Sequence, residues 1–223
     1  MKFDNLIAKY HVAAPRYTSY PTVPYWDSTP PSEETWKKLV KKSFDCTNAQ
    51  DGISVYIHLP YCESLCTYCG CNTRITKNHK VEEPYINAVL KEWDSYLEVF
   101  QQKPQIKEIH LGGGTPTFFS PENLGQLLKG ILAKADIHPE AEFSFEAHPN
   151  NTSEAHLKAL AEVGFRRLSL GIQDFDPKVQ FIINRIQTFE QVLEVTKQAR
   201  ALGYHSINYD LIYGLPLQDA SGL

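Results

Sequence analysis

From residue 53 onward, segments with the pattern of β-strands alternate with segments that have the period of amphipathic helices. The strand patterns are ISVYIHLP (53–60), IKEIHLGGG (106–114), AEFSFEAHP (141–149), RRLSLGIQ (166–173) and SINYDLIYGLP (206–216). Helices are predicted at 81–101, from residue 121, at 153–164 and at 188–203. This alternation predicts parallel strands with right-handed crossovers, hence an α/β fold with either an open doubly wound sheet or a (β/α) barrel.

Local signals mark where several of these helices begin and end. Ser120 precedes Pro121, and Thr188 precedes an amphipathic segment, so both residues are predicted N-caps. Gly164 and Gly203 follow the last apolar positions of two helices, where a left-handed residue ends the helix.

Polar and glycine residues stand at the carboxyl end of every predicted strand. They are Cys62, Gly112 to Thr115, Glu146 with His148 and Gln173, and Asp210 lies within the fifth strand. Because the carboxyl ends of parallel strands meet at one rim in both architectures, we expect one shared site there.

The bulk composition excludes several classes of function. The chain has 223 residues and a formal net charge of -4, so it has no basic surface for nucleic acid or a membrane. It has neither a membrane-spanning apolar stretch nor a secretory signal pattern. The odd, clustered cysteines argue against a secreted disulfide framework. We therefore expect a soluble, cytoplasmic protein without nucleic-acid or membrane partners.

Four of the five cysteines lie in one short run with the spacing C-x3-C-x2-C-x-C. They are Cys62, Cys66, Cys69 and Cys71, whereas Cys46 is isolated. Structural zinc sites usually join two separate ligand pairs, and disulfides are rare in a reducing compartment. Three thiolates on a short loop can instead hold three irons of a [4Fe–4S] cluster and leave the fourth iron open to a small molecule.

The C-x3-C-x2-C spacing, with aromatic Tyr68 before its last cysteine, resembles the loop of radical S-adenosylmethionine enzymes. The resemblance implies that Cys62, Cys66 and Cys69 bind the cluster and that the open iron binds S-adenosylmethionine. One electron from the cluster then yields a 5′-deoxyadenosyl radical. The implied fold is a partial (β/α) barrel, here of about five βα units, with an irregular N-terminal arm.

Three longer stretches make the resemblance more specific, to one family within that superfamily. YIHLPYCESLCTYCGCNTRI, HLGGGTPT and PRYTSYPT together resemble the oxygen-independent coproporphyrinogen III oxidases, over essentially the whole chain. That family implies oxidative decarboxylation of two propionates of coproporphyrinogen III to vinyl groups, giving protoporphyrinogen IX. It also implies a porphyrinogen substrate, a reductant protein such as flavodoxin or ferredoxin, and two molecules of S-adenosylmethionine.

The same resemblance implies the residues of the site. Those around S-adenosylmethionine are Tyr56, Tyr68, Gly113, Gly114, Thr115, Glu146, Gln173, Arg185 and Asp210. Tyr56 and Cys71 are the implied catalytic residues, and Cys71 lies near the cluster without binding it. Glu146 and Asp210 stand in strands interpreted as apolar, so we expect their carboxylates to be buried. Because burial of an unpaired carboxylate is costly, we expect both to accept hydrogen bonds from a ligand. Arg185 is expected on a helix, where its fork can bind a carboxylate.

Two other functions fit parts of the pattern. A haem chaperone of the same superfamily would bind and transfer haem, but Cys71 and the tyrosine-rich arm count against it. A zinc-dependent structural module would contain zinc without iron or sulfide.

The predicted domains are an N-terminal arm with a helix at 1–52 and the partial barrel at 53–223. Arg16 of the arm is a candidate partner for substrate carboxylates. Family chains are about twice as long, so the sequence resembles their N-terminal half, either as a fragment or as a short protein. We expect the fifth strand to be an exposed edge, the cluster to bind, and the decarboxylation to fail without the remaining strands.

Overall fold

The computed structural model describes residues 3–11, 21–27 and 29–219. Its helices are α1 (Phe3–Tyr10), α2 (Glu33–Thr47), α3 (Glu82–Phe100), α4 (Pro121–Leu132), α5 (Glu154–Glu162), α6 (Pro177–Ile182) and α7 (Phe189–Ala201). Its strands are β1 (Ile53–Leu59), β2 (Tyr61–Cys62), β3 (Arg74–Ile75), β4 (Gln105–Gly113), β5 (Asp136–Ala147), β6 (Phe165–Gln173) and β7 (Ser206–Leu211). Arg16 and most of the PRYTSYPT stretch lie outside the described residues.

Five of the strands form one parallel sheet in the order β1-β4-β5-β6-β7. Neighbours in the sheet are consecutive strands of the predicted βα units, as a barrel-like α/β fold requires. Within the described residues, β1 pairs only with β4 and β7 pairs only with β6, so both are edge strands. The predicted edge position of the fifth strand is confirmed.

Contacts divide the chain into two compact units, residues 1–38 and 39–223. The first contains α1, the start of α2 and a 3₁₀ turn at Val23–Tyr25, beside which Trp26 Nε1 donates to the Pro21 carbonyl at 2.7 Å. The second contains the sheet and the helices from α3 onward. In it, Phe44 of α2 stacks on Phe100 of α3 with ring centroids 4.1 Å apart.

The core of the second unit lies on one side of the sheet, because alternate residues of each strand point toward the helices. Its fully buried members include Leu59, Ile106, Ile109, Leu111, Phe145, Phe165 and Leu170 of the strands and Leu124, Leu127, Leu157 and Leu160 of the helices. The alternate strand residues are polar and only half-buried or exposed. The sheet therefore presents a second, polar face.

The predicted helix signals are confirmed. Ser120 Oγ accepts from Asn123 N at 3.2 Å, with Pro121 as the first helical residue. Thr188 forms a capping box at the start of α7. Gly164 and Gly203 have φ of +101° and +86°, the left-handed conformation that ends a helix.

Three parts of the structure differ from the sequence prediction. Strand β5 begins at Asp136, five residues early, because it pairs with the start of β4 at Gln105. The short α6 and the two-residue strands β2 and β3 were not predicted. The helical placement of Arg185 is wrong: α6 ends at Ile182, and Asn184 then turns the chain with φ of +53°. Of the helices described, none is long and apolar enough to cross a membrane.

Candidate active site at the carboxyl ends of the strands

The loop that carries Cys62, Cys66, Cys69 and Cys71, here called the cysteine loop, is held at its start by backbone hydrogen bonds. Strands β2 and β3 pair in parallel, and Thr76 N donates to the Cys62 carbonyl at 2.9 Å. Across from them, Gly114 N donates to the Leu59 carbonyl at 2.9 Å and Thr115 N to the Tyr61 carbonyl at 3.0 Å. The turn after β4 thus fixes the chain where it leaves β1 and enters the loop.

The middle of the cysteine loop is anchored to the segment that follows α6. Thr67 donates its N–H to the Ile183 carbonyl at 3.0 Å and its hydroxyl to the Ile182 carbonyl at 3.2 Å. Asn184 Nδ2 donates to the Leu65 carbonyl at 2.8 Å. Residues distant in sequence therefore set the position of Cys66 and Cys69, and sequence patterns gave no sign of this anchor.

The loop cysteines are all unpaired thiols, and the three predicted ligands are half-buried while Cys71 is exposed. Cys62 Sγ lies 3.3 Å from Thr115 Oγ1, and burial raises the pKa of the Cys62 thiol. Among the described residues, no Cys, His, Asp or Glu group is arranged to hold a single metal ion. A cluster instead spreads its thiolates over separate irons, and three free thiols on one anchored loop are a donor set of that kind.

Arg185 is 9% exposed and lies beside the thiols. Its Nη1 is 3.7 Å from Cys66 Sγ, and its Nη2 donates to the Gly171 carbonyl at 2.5 Å. Its Nε is buried without a hydrogen-bond partner among the described residues. A buried guanidinium with an unsatisfied donor beside the Cys66 thiol fits a site for an anionic group.

Gly171 makes room for this arginine. A Cβ there would lie 2.8 Å from Arg185 Nη2 and 2.7 Å from Gln173 Nε2. Both distances are too short, so a side chain at residue 171 would displace two predicted site residues. Sequence reasoning passed over Gly171, although a glycine inside a strand pattern signals a close approach.

The glycines at the end of β4 serve the protein's own packing. Gly113 has φ of +121°, and a Cβ there would lie 2.9 Å from the His58 ring. A Cβ at Gly114 would lie 2.6 Å from the Pro60 carbonyl oxygen. Their close contact is with β1 and the start of the cysteine loop. Their binding of a ligand stays a prediction.

Tyr56 and His58 extend from β1 onto the polar face. Tyr56 Oη lies 3.0 Å from His58 Nδ1, and His58 Nε2 lies 2.8 Å from the Asn72 carbonyl oxygen. Because that carbonyl can only accept, Nε2 carries the proton. Burial raises the pKa of the Tyr56 hydroxyl, and the neighbouring Glu146 and Cys71 raise it further. Of the predicted site residues, Cys71 and Glu146 are therefore close enough to Tyr56 for their charges to act on its hydroxyl.

The expected burial of Glu146 and Asp210 is wrong. Both are exposed, because they lie on the polar face that the helices do not cover. Glu146 Oε1 lies 3.5 Å from His110 Nε2. Asp210 accepts from Ser169 Oγ and Asn208 Nδ2, both at 2.8 Å. These carboxylates are open to a ligand and bear little desolvation cost.

Tyr68 and Gln173 occupy unusual environments. Tyr68 packs against a small apolar cluster that includes Val179 and Leu215, and its burial raises its pKa. Gln173 has φ of +70°, rare for a residue with a side chain. Its carbonyl accepts from Ile212 N at 3.0 Å, which joins the carboxyl ends of β6 and β7.

His148 lies at the end of β5, beside a hollow of about 320 Å³ that Cys62, Thr115 and Arg185 also line. Its Nδ1 accepts from Asn150 N at 3.1 Å and caps a 3₁₀ turn. Burial, reinforced by Arg185, lowers the pKa of His148 to about 3. The imidazole is therefore neutral at ordinary pH and holds the local turn.

The comparison with protein-family models decides the family, since the radical SAM superfamily model matches residues 56–221. The chain belongs to the radical SAM superfamily. Membership of this superfamily implies a [4Fe–4S] cluster and S-adenosylmethionine as cofactors, and the donor set described above fits both.

Several similar proteins carry one name, oxygen-independent coproporphyrinogen III oxidase. The protein from Pseudomonas aeruginosa is 36% identical over 217 residues, covering 96% of this chain and 46% of its own length. Those from Helicobacter pylori J99 and Escherichia coli K12 are 38% and 35% identical, covering 96% of this chain and 47% and 45% of their own lengths. The chain thus spans slightly less than half the length of these relatives.

A solved structure shows the same architecture. The coproporphyrinogen III oxidase HemN from Escherichia coli superposes with a TM-score of 0.86 at 32% identity, covering 99% of this chain and 48% of HemN. A radical S-adenosylmethionine methyltransferase, TsrM from Kitasatospora setae, superposes with a TM-score of 0.52 at 15% identity and shares the fold alone. The α/β fold of radical SAM type is confirmed.

Proposed function

We propose that this chain provides the cluster and cofactor site of an oxygen-independent coproporphyrinogen III oxidase. The reaction is oxidative decarboxylation of two propionates of coproporphyrinogen III to vinyl groups, which gives protoporphyrinogen IX. One observation carries the proposal: relatives of that name match 96% of the chain at 35–38% identity.

The proposed cluster ligands are Cys62, Cys66 and Cys69. When bound, the cluster and S-adenosylmethionine supply one-electron chemistry that yields a 5′-deoxyadenosyl radical. The protein's contribution is to hold the loop rigid and to offset negative charge with the buried Arg185 guanidinium. The unpaired Arg185 Nε is available to an acceptor such as a carboxylate.

The polar face is the proposed binding surface for S-adenosylmethionine, for two molecules in the whole enzyme. The exposed carboxylates of Glu146 and Asp210 can accept hydrogen bonds from an ammonium or from ribose hydroxyls. Gly113, Gly114, Thr115, Gln173 and Tyr68 complete the proposed surround.

Tyr56 and Cys71 are the proposed catalytic residues. Burial, together with the neighbouring Cys69 and Glu146, raises the pKa of the Cys71 thiol. The thiol therefore keeps its proton at neutral pH, beside Tyr56 and Glu146. This places a proton at the Cys71 Sγ atom on the same face as the proposed binding surface.

The proposed partners follow from this chemistry. The substrate is a porphyrinogen, whose carboxylates call for local cations such as Arg16. A small reductant protein, a flavodoxin or ferredoxin, supplies the electron, and the proposed setting is the cytoplasm.

Anaerobic reconstitution with iron and sulfide tests the proposal. We expect the protein to bind four irons and four sulfides and, with dithionite and S-adenosylmethionine, to release 5′-deoxyadenosine. Cys66→Ser is the control and should do neither. Zinc without sulfide in the native protein would contradict the assignment, and so would a stable haem complex without formation of 5′-deoxyadenosine.

Product analysis tests the substrate. Protoporphyrinogen IX formation is measured beside a full-length relative under the same conditions. Turnover comparable to that of the relative would show that these 223 residues hold the whole substrate cavity. The substrate class would be contradicted if neither coproporphyrinogen III nor a related porphyrinogen is turned over, even when the half of the relative that this chain does not match is supplied.

A further inference from the structure

We infer that His110 is a positioning residue that fixes Glu146 and Tyr56 for S-adenosylmethionine, an inference that rests on the proposed function. His110 begins the HLGGGTPT stretch, but it is not among the site residues that the resemblance implies. It lies on β4, and its side chain projects onto the polar face between β1 and β5.

The register of the sheet makes His110 the centre of a contact group. Tyr56 of β1 and Ser144 of β5 are its direct neighbours across the strands. Glu146 is the next residue of β5 on that face, because side chains on a strand alternate. One imidazole on β4 therefore contacts residues of both neighbouring strands, β1 and β5.

Distances show how the ring is held. His110 Nδ1 lies 2.8 Å from Ser144 Oγ, and Nε2 lies 3.5 Å from Glu146 Oε1. A carboxylate only accepts, so the tautomer that suits both contacts has its proton on Nε2, with Nδ1 accepting from the Ser144 hydroxyl. The ring also stacks on Tyr56, with centroids 5.9 Å apart and an interplanar angle of 18°.

Glu146 depends on this contact for its orientation. Within the part of the chain that the structure describes, His110 is the one hydrogen-bonding or ion-pairing partner of the Glu146 carboxylate. The carboxylate side chain is 48% exposed, so without His110 its rotamers are unrestrained. A ligand that binds the carboxylate must then order it, which weakens binding.

Gly112, two residues beyond His110 on the same strand, also supports this inference. A Cβ at Gly112 would lie 2.9 Å from the Tyr56 ring and 3.3 Å from His110 Nε2. The absence of a side chain there lets Tyr56 and His110 stack closely at the rim. Tyr56, His110 and Glu146 thus form one contact group, and its outer members, Tyr56 and Glu146, are both proposed to contact the cofactor.

Three variants separate the contacts of His110. His110→Gln keeps a donor near the Nε2 position, toward Glu146. His110→Asn keeps a polar group near Nδ1, toward Ser144, and loses the Glu146 contact. His110→Phe keeps only the stacking on Tyr56. His205→Phe, an exposed histidine whose side chain makes no hydrogen bond within the described residues, is the control.

Titration calorimetry with S-adenosylmethionine on the reconstituted protein is the measurement. We expect affinity to fall about fivefold in His110→Phe and His110→Asn, the size of a lost exposed ionic contact. His110→Gln should recover most of it. Iron content and the thermal midpoint should not change, which separates positioning from folding.

The outcomes distinguish the two proposals. If the unsubstituted protein binds S-adenosylmethionine and all three variants bind it equally well, His110 has no positioning role and only this inference is overturned. Equal losses in His110→Gln and His110→Asn would likewise overturn it. If the unsubstituted protein holds its cluster but does not bind S-adenosylmethionine, the proposed function itself fails, and this inference with it.

Discussion

The Nη1 atom of Arg185 lies 3.7 Å from the Sγ atom of Cys66, although 119 positions separate the two residues in the chain. The guanidinium is held there by the Gly171 carbonyl. A fixed positive charge therefore faces the loop whose thiolates would surround an iron–sulfur cluster.

Arg185→Lys should weaken retention of the cluster. Lysine keeps the charge but loses the fork that bonds Gly171 and faces Cys66 at once. Loss of a charge-assisted contact of about 1.5–3 kcal/mol corresponds to roughly 10- to 100-fold faster loss of iron. The rate of iron release to a chelator measures it. Arg200→Lys, which alters an arginine bonded to the Tyr204 and His205 carbonyls, should have no effect.

Serine substitution of Cys62, Cys66 or Cys69 should abolish the cluster, because each removes one of the three proposed thiolate ligands. Visible absorption and the ratio of iron to protein after reconstitution measure this. Cys46→Ser should retain full iron, since Cys46 lies on α2 apart from the loop. Cys71→Ser should also retain it, and loss of the cluster in that variant would make Cys71 a ligand.

Gly114→Ala should destabilise the fold by about 1–3 kcal/mol, because the new methyl group meets the Pro60 carbonyl oxygen at 2.6 Å. Chemical denaturation of the metal-free protein measures the free energy of unfolding. The control is Gly125→Ala in α4, where nothing lies within 4 Å of the new Cβ. That change should stabilise by about 0.5–1 kcal/mol, since alanine favours helix. Similar stability in both variants would contradict the packing role of Gly114.

Asn184 combines a left-handed backbone with a hydrogen bond to the cysteine loop. Asn184→Ala removes the bond to the Leu65 carbonyl but keeps a β-carbon at φ of +53°, whereas Asn184→Gly removes both the bond and the β-carbon. We expect the alanine variant to be less stable than the glycine variant by about 1–2 kcal/mol. Both should lose the cluster to a chelator faster than the unsubstituted protein. Equal stability of the two variants would show that the backbone at residue 184 relaxes freely.

His156 should make the fold sensitive to acid. It completes the capping box of α5: Ser153 N donates to Nδ1 at 3.2 Å, while Nε2 lies 3.0 Å from the Phe119 carbonyl oxygen. Burial lowers its pKa. The unfolded chain therefore binds this proton more readily, and stability falls as pH drops below the ordinary histidine pKa of about 6.5.

The variant His156→Gln tests this, because glutamine serves a capping box without titrating. The free energy of unfolding, measured by urea denaturation between pH 7 and pH 5, should fall less in the variant than in the unsubstituted protein. An identical pH dependence would remove His156 from the acid response.

The order of strands and helices was readable from the sequence because apolar period and cap residues are local signals. Ser120, Thr188, Gly164 and Gly203 act within one helix end each. The convergence of the strand ends followed from parallel topology alone. The cysteine spacing pointed to a cluster loop without any knowledge of its surroundings.

Features that depend on contacts between residues distant in the sequence could not be predicted. The bond from Asn184 to Leu65 joins residues with no shared pattern. The left-handed turn that ends α6 lies in IINRIQ, which has helical composition. The exposure of Glu146 could have been predicted. Polar residues alternate with Phe143 and Phe145 in this strand, which is the pattern of a strand covered on one face only.

The anchoring of the cysteine loop bears on the order of events during synthesis. Leu65 is made 119 residues before Asn184, which holds it. At about 5–20 residues per second, roughly 6–24 seconds separate the two on the ribosome. During that interval β3 and the turn after β4 can hold only the start of the loop, and its middle lacks the anchor that follows α6. Delivery of iron and sulfide to a fully anchored loop therefore has to follow synthesis of Asn184, and before that point the thiols are more open to reagents that modify them.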